Sequence, residues 1–139
     1  MHTHFKIQDF TLNVDLEATR QLYAHQMKIV DSCPCEDCRF YATVLIKENI
    51  EIFQVFTSMG IDLEKNISPD SPGVWCVLDD QGSCRYCEQD FRLVGHILPS
   101  PEKIVEYNRQ ELGFEIRAVF ADRGEEKMDI YLTIEMAKS

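Results

Sequence analysis

The most regular pattern of apolar and polar positions lies in the last third of the chain. Apolar residues occupy alternate positions from Phe114 to Phe120 and again from Met128 to Met136. The segment Asp122-Arg123-Gly124-Glu125, which is typical of turns, separates the two runs. Because successive side chains of a strand point to opposite faces, this alternation indicates strands with one buried face. The pattern predicts two antiparallel strands joined by this turn.

Shorter apolar runs predict further strands upstream. Val74 to Leu78 is followed by the turn Asp79-Asp80-Gln81-Gly82 and by a second strand from about Ser83. A third strand is predicted from Phe91 to Leu98. The segment from Phe5 to Leu12 alternates imperfectly, because its first two and its last two apolar residues lie on opposite sides. It predicts a short, bulged strand.

Three segments have the pattern of helices. Asp15 is a capping residue for a helix over Leu16 to Met27, whose apolar positions recur three or four residues apart. A broad apolar face from about Asp37 to Met59 predicts the longest helix, with Gly60 as its stop. A serine, a proline and an acid in succession predict a further helix from Ser100 to Gly113.

These elements indicate an α+β fold, with a mostly antiparallel sheet of four to six strands and two or three helices packed against it. The prolines and the glycine between Asn66 and Gly73 predict a loop. No repeat or linker divides the 139 residues, so we expect a single domain over residues 1–139. With 45% hydrophobic residues, the chain can bury a core without help from a metal or a disulfide.

Charge and hydropathy narrow the range of partners. Aspartate and glutamate outnumber lysine and arginine by 24 to 14, which gives a net charge of −10. The average surface would therefore repel nucleic acid and anionic membranes. No apolar run approaches the roughly 20 residues that cross a bilayer, and the first residues lack the apolar segment of a signal peptide. We expect a cytoplasmic protein that binds neither nucleic acid nor membranes.

Six cysteines carry the most specific chemistry of the sequence. Three lie in Cys33-Pro34-Cys35-Glu36-Asp37-Cys38, at the predicted start of the long helix, and two lie in Cys84-Arg85-Tyr86-Cys87. The sixth, Cys76, stands alone in a predicted strand. Because a cytoplasm keeps structural disulfides reduced, the two clusters favour thiolates that bind a metal or perform redox chemistry.

Zinc is the first interpretation of the clusters. Zinc takes four ligands at tetrahedral corners, and a two-residue spacer lets a turn present two thiolates to one ion at about 2.3 Å. Cys35 with Cys38, and Cys84 with Cys87, both have this spacer. If the start of the long helix meets the hairpin, these four cysteines form a closed structural site.

A second arrangement uses Cys33, Cys35 and Cys38 with one ligand from elsewhere, for which His25 and His96 are available. Thiolates also suit copper(I) and iron–sulfur clusters, so the spacing does not select the metal. The candidate metal ligands are therefore Cys33, Cys35, Cys38, Cys84, Cys87 and His96.

Thiol redox chemistry is the alternative for the first cluster. Cys33 or Cys35, close to a helix start, could have a lowered thiol pKa and attack a disulfide, with a neighbour as the resolving cysteine. Glu36 and Asp37 oppose this electrostatically, because they disfavour a thiolate beside them.

The remaining interpretation is that the cysteines pack as small hydrophobic side chains, which we favour for Cys76. Cys84 and Cys87 fall between the two interpretations, metal binding and simple packing. Strand positions three apart point to opposite faces, so only a bulge or a turn would bring these two thiols together.

Other residues are weaker candidates. Trp75 is predicted in the core, and His96 on the side of its strand opposite to Leu93 and Ile97. The sequence has no glycine-rich phosphate loop, no nucleophile elbow and no helical His–Glu pair for a catalytic zinc. The sequence therefore leans against an enzyme.

Three segments carry a resemblance to a known family: Cys33-x-Cys35-x-x-Cys38-Arg39-Phe40-Tyr41, then Gly60-Ile61-Asp62-Leu63-Glu64-Lys65, then Val94-Gly95-His96-Ile97. With them the chain resembles uncharacterised bacterial proteins that share a CxCxxC motif followed by an asparagine and an aromatic residue, a Gly-Ile-Asp-x-x-Lys segment, and a strand ending in Val-Gly. Here Phe40 stands in the place of the asparagine. The resemblance covers residues 33–97, makes the first cluster the signature, and implies no particular activity.

The sequence as a whole predicts a small cytoplasmic bacterial protein in which zinc, bound by the cysteines, stabilises a domain that binds another protein. The alternatives are a thiol redox protein that uses the first cluster and a metal-free interaction domain. We place the centre of the site at Cys33, Cys35 and Cys38, with Cys84 and Cys87 as its completion.

Overall fold

The computed structural model describes residues 2–33, 35–47, 50–67, 74–99 and 103–138. The strands are β1 (His2–Ile7), β2 (Phe10–Asp15), β3 (Trp75–Leu78), β4 (Cys84–Leu98), β5 (Ile104–Glu111), β6 (Phe114–Asp122) and β7 (Asp129–Lys138). The helices are α1 (Leu16–Ala24), α2 (Ile29–Ser32), α3 (Glu36–Phe40), a π-helical turn (Tyr41–Leu45), α4 (Glu51–Ser58) and α5 (Gly124–Lys127). Among these described helices, none is long and apolar enough to pass through a membrane.

Strand β4 organises the sheet. The strands are antiparallel in the order β1-β2-β4-β7-β6-β5, and β3 is an additional partner of β4. Along one edge, β4 pairs with β7 over residues 86–94. Along the other edge it has two partners in succession, β3 over residues 84–88 and β2 over residues 95–98. Between them, residues 89–94 have no described strand beside them on this edge.

Helix α1 covers this gap with side-chain hydroxyls. The Tyr23 hydroxyl donates to the carbonyl of Arg92 and accepts from the N–H of the same residue, both at 2.8 Å. Thr19 Oγ1 accepts from the N–H of Val94 at 3.0 Å and donates to the carbonyl of Asp15. Both side chains are buried. The two hydroxyls therefore satisfy backbone groups that a neighbouring strand would otherwise satisfy.

The core lies between one face of the sheet and the helices. Buried side chains alternate along β4 over residues 87–97 and along β7 over residues 130–136. Phe120 of β6 contacts Phe10 of β2 and Phe56 of α4, at ring-centroid distances of 5.6 and 6.2 Å. These aromatic contacts join α4 to the middle of the sheet.

Two strand predictions are corrected. The segment from Phe5 to Leu12 belongs to the hairpin of β1 and β2, with a two-residue turn at Gln8 and Asp9. Because the chain reverses there, Phe5 lies opposite Leu12 and Ile7 opposite Phe10, so these apolar side chains share one face. The separate strands predicted from Ser83 and from Phe91 are one strand, β4, because its buried positions keep the same phase over residues 87–97.

The long helix predicted from Asp37 to Met59 is broken. After α3 the chain enters the π-helical turn, in which the N–H of Ile46 bonds to the carbonyl of Tyr41 at 3.0 Å. Helix α4 begins anew, and the carboxylate of Glu111 accepts the N–H groups of Glu51 and Ile52 at 2.8 and 3.1 Å. This cap comes from 60 residues further along the chain, so the local helical period could not reveal it.

The helix predicted from Ser100 to Gly113 is wrong. Its start at residues 100–102 lies outside the described residues, and Ile104–Glu111 forms β5, which pairs with β6 along its whole length. Leu112 and Gly113 form the two-residue turn into β6, with positive φ values of 47° and 81°. Gly113 therefore serves a hairpin turn rather than a helix end.

Other predictions are confirmed. The Asp15 carboxylate caps α1 by accepting from the N–H of Ala18 at 3.0 Å, although the helix ends at Ala24. Gly60 follows the end of α4 with a φ of +96°. β6 and β7 form the predicted antiparallel pair. The α+β class is confirmed, but the seven strands of the sheet and the five α-helices among the described residues exceed the predicted four to six strands and two or three helices. Most of the loop predicted from Asn66 to Gly73 lies outside the described residues.

Gly95 marks the closest approach of β4 to β2. Its φ is +151°, and a Cβ atom at this position would lie 1.9 Å from the carbonyl oxygen of Asn13. We expect Gly95→Ala to lower the free energy of unfolding by ~3 kcal/mol or more, because the backbone of one strand has to move. Urea unfolding measures the change. Gly82→Ala is the control: its φ is +79° but nothing lies within 4 Å, so only about 1 kcal/mol of backbone strain is expected. Equal losses in the two variants would contradict the close packing at Gly95.

Tyr23→Phe tests the hydroxyl that covers the gap beside β4. It leaves the N–H and the carbonyl of Arg92 without their partner in a buried place, so we expect the free energy of unfolding to fall by about 2 kcal/mol. In the control Tyr107→Phe, the lost hydroxyl only accepts from the half-buried Arg109 at 3.3 Å, and a much smaller change is expected. A Tyr23→Phe protein as stable as the parent would show that the gap does not depend on this hydroxyl.

Candidate functional site

The first cysteine group, Cys33, Cys35 and Cys38, is built by two short helices. Cys33 ends α2, where its N–H bonds to the carbonyl of Ile29 at 2.9 Å. Cys35 is the N-terminal cap of α3, and its sulfur accepts from the N–H of Cys38 at 3.4 Å. The prediction that the cluster lies at a helix start is confirmed for α3.

The Sγ atoms of the first group all lie within 4.8 Å of one another. Cys38 is fully buried, Cys33 is half-buried, and Cys35 is exposed. The group is therefore attached to the core on one side and open to solvent on the other. Among the described residues, Cys33, Cys35 and Cys38 are the one group of three potential metal ligands whose ligand atoms have this mutual spacing.

The thiols of the first group differ in acidity. The N–H of Cys38, followed by the side chains of Cys33 and Cys38, lowers the pKa of Cys35 by hydrogen bonding to its sulfur. Burial raises the pKa of Cys38 to about 12. The exposed member of the group thus becomes a thiolate most readily.

A second cysteine group consists of Cys76 on β3 with Cys84 and Cys87 on β4, and all three are buried. Cys76 lies directly opposite Cys87 in the ladder. The register shifts between the pairs Val77–Tyr86 and Leu78–Cys84, which leaves Arg85 as an extra residue. This bulge turns Cys84 to the same face as Cys87, although the two are three positions apart.

The second group shares its protons unequally. Hydrogen bonds from the thiols of Cys76 and Cys87 hold the pKa of Cys84 well below its usual range. The interaction with the Cys84 side chain is the main cause that raises the pKa of Cys76 to about 12. The interaction with the Cys76 side chain is the main cause that raises the pKa of Cys87. Cys84 is therefore the most acidic thiol of the second group.

Asp37 connects the two groups. The N–H of Cys76 donates to Asp37 Oδ2 at 3.2 Å, and the Cys76 thiol lies 3.9 Å from the Asp37 carbonyl oxygen. On the other side, the N–H of Val74 donates to the Cys38 sulfur. Helix α3 is thus held against β3, with the first group on one side of Asp37 and the second group on the other.

The structure brings together some of the predicted ligands and separates others. Cys84 and Cys87 lie with Cys76 rather than with the first group. His96 is nine residues beyond Cys87 on β4, which is about 30 Å along a strand, and its Nδ1 lies 3.3 Å from Asp122 Oδ1. His25 follows α1 as its C-terminal cap. Neither histidine belongs to the first group.

Cys76 is the member of the sites that the sequence interpretation missed. It is buried, as predicted, but it also contacts Cys87. The predicted turn from Asp79 to Gly82 contained the signal, because pairing the flanking strands outward from that turn places Cys76 near Cys87. The neighbouring prediction for Trp75 is wrong: its side chain is 57% exposed and packs against Tyr86, with ring centroids 5.3 Å apart.

Comparison with known proteins gives no match among family models, curated proteins or solved structures.

The acidity difference within the first group predicts a labelling order. In reduced, metal-free protein at pH 7, we expect iodoacetamide to alkylate Cys35 at least about ten times faster than Cys38, because the thiolate is the nucleophile and Cys38 is buried. Because the pKa of Cys35 is lowered, its rate should reach a plateau at a lower pH than that of free cysteine. Peptide mass spectrometry follows each site. Equal rates in the folded protein, as in a denatured control, would contradict this assignment.

Proposed function

We propose that this protein binds a zinc ion through Cys33, Cys35 and Cys38, and that the zinc site is a structural feature of a surface that binds another protein. The observation that supports this most directly is the mutual spacing of the three Sγ atoms, all within 4.8 Å. In a tetrahedral zinc site with bonds of about 2.3 Å, the distance between two sulfur ligands is shorter than 4.8 Å. Small side-chain rotations would bring the three sulfurs onto one ion.

The chemistry of the donors favours a soft metal. Three thiolates suit zinc or copper(I), and they do not suit magnesium or calcium, which prefer oxygen. Cys35, the thiol with the lowered pKa, loses its proton most readily and would bind first. The metal then supplies the positive charge that lets the buried Cys38 ionise. Zinc with three thiolates keeps a net charge of −1.

The exposure of the group indicates where the fourth ligand comes from. No fourth cysteine, histidine or acid of the described residues belongs to the set, and Cys35 faces solvent. We infer that a water molecule or a side chain from another protein completes the tetrahedron. The four-cysteine site is not favoured, because Cys84 and Cys87 are engaged with Cys76.

The surroundings support an interaction role rather than catalysis. The core is formed by aromatic and aliphatic side chains of the sheet and the helices, so we infer that zinc adds a local constraint at the margin of this core. Beside the site, β3 exposes Trp75 and Val77, at 57% and 40%. Exposed aromatic side chains are frequent anchors of protein interfaces. With a net charge of −10, the partner is expected to be basic.

Metal analysis and X-ray absorption test the zinc site together. We expect about one zinc at the first group, with three sulfur neighbours at about 2.3 Å and one oxygen or nitrogen neighbour at about 2.0 Å. Cys35→Ser should remove this zinc while circular dichroism shows an unchanged fold, because Cys35 is exposed. Trp75→Ala is the matched control on the same surface, and it should keep the zinc.

Three results would contradict this proposal. The first is protein that holds no metal after purification in zinc-containing buffer. The second is a fourth sulfur neighbour that disappears in Cys84→Ser or Cys87→Ser, which would restore the closed four-cysteine site. The third is release of zinc by His96→Ala or His25→Ala, which would identify a histidine as the fourth ligand.

A further inference from the structure

Cys76 and Cys87 are placed for a direct covalent link. They are directly opposite each other in the antiparallel ladder of β3 and β4, and their Sγ atoms are only 3.1 Å apart. Both are nearly inaccessible, at 6% and 2% exposure. A shift of about 1 Å between the sulfurs would reach the bond length of a disulfide.

The second group differs from the first in its geometry. In the part of the chain that the structure describes, only the first group has three ligand atoms all within 4.8 Å of one another. The three sulfurs of the second group do not meet this limit, and the close contact is confined to one pair. The arrangement therefore matches a bond between two sulfurs better than three bonds to one ion.

The third thiol supplies the reactivity that such a pair needs. Cys84 is the most acidic thiol of this group, because the side chains of Cys76 and Cys87 lower its pKa. Thiolates, not thiols, react with oxidants and attack disulfides. The bulge at Arg85 is what places this third sulfur beside the pair. The three cysteines are thus placed for thiol–disulfide exchange with one another within the core.

We propose that the second group is a redox site, in which hydrogen peroxide oxidises Cys76 and Cys87 to a reversible disulfide while Cys84 stays a thiol. A thiolate of the group takes one oxygen atom from peroxide to become a sulfenic acid, and hydroxide leaves. A neighbouring thiol attacks this sulfur, the S–S bond forms, and water leaves. Where Cys84 is the cysteine oxidised first, the remaining thiol then attacks the mixed disulfide, forms the Cys76–Cys87 bond and releases Cys84 as a thiol. Two electrons pass from the two cysteines to one peroxide. A small oxidant is required because the group is buried.

Two features determine how easily this disulfide is reduced and which part of the fold it affects. Directly opposite strand residues have Cβ atoms about 4.5–5.5 Å apart, which is wider than the about 3.5–4.5 Å of a relaxed disulfide. We therefore expect a bond between these directly opposite residues to be strained, and strained disulfides are readily reduced by thiols. It would also fasten β3 to β4, and β3 holds α3 through the contact of Cys76 with Asp37. Oxidation would therefore act on the strand that supports the first group.

Peptide mapping of the full chain tests the proposal. Zinc-loaded, reduced protein is treated with an equimolar amount of peroxide, alkylated in denaturant and digested without reductant. We expect a cross-linked peptide that joins Cys76 to Cys87, with a loss of two hydrogens that dithiothreitol reverses. Cys84→Ser should still form this link, but more slowly because it lacks the most acidic thiol, whereas Cys76→Ser should not form it. Cys87→Ala provides a second variant that lacks the link, in case Cys76→Ser does not fold.

Other outcomes would overturn the proposal. One is a link between Cys84 and either partner as the stable product. Another is a second group that stays reduced at peroxide concentrations which already oxidise the first group. A third is a second zinc per chain that is lost in Cys84→Ser, which would make this group a metal site. The Cys76–Cys87 link itself does not require zinc at the first group: protein without zinc that still forms the link would overturn only the zinc assignment.

Discussion

The backbone of β4 between its two partial partners is the constraint on which the rest of the structure depends. β4 shares one edge between β3 and β2, and without α1 the N–H groups of Arg92 and Val94 and the carbonyl of Arg92 would lose their partners in the gap between these two strands. The hydroxyls of Tyr23 and Thr19 satisfy Arg92 and Val94. Because an unsatisfied buried amide costs more than a typical hydrogen bond contributes, α1 has to dock here. The strand can therefore extend into both a hairpin with β3 and a sheet with β2.

Both cysteine groups derive their positions from this arrangement. The hairpin of β3 and β4 holds the second group directly. Its edge strand, β3, then orients α3 through the contacts of Cys76 with Asp37 and of Val74 with Cys38. The first group therefore sits at the margin of the sheet, partly in the core and partly in solvent. Two sets of three thiols with different exposure arise from one junction, so the same residue type can serve two kinds of chemistry.

Local signals in the sequence predicted what local interactions decide. The alternation in β6 and β7, the cap at Asp15 and the stop at Gly60 were all correct. The errors arose where distant residues decide the outcome. Glu111 caps α4 from another strand, and pairing with β6 makes residues 104–111 a strand despite a helix-like start. Likewise, the two cysteine pairs suggested one site, whereas the register of β3 against β4 divides the cysteines into two groups of three.

The bulge at Arg85 changes how the spacing of cysteines should be compared between related chains. On this strand, Cys84 and Cys87 reach the same face only because one residue between them is extra. Deleting that residue would leave a regular strand in which a C-x-C pair presents its two sulfurs to the same face. A bulged C-x-x-C and an unbulged C-x-C are thus equivalent in three dimensions. Single-residue insertions and deletions here would change the motif during evolution while leaving the inward-facing sulfurs in place.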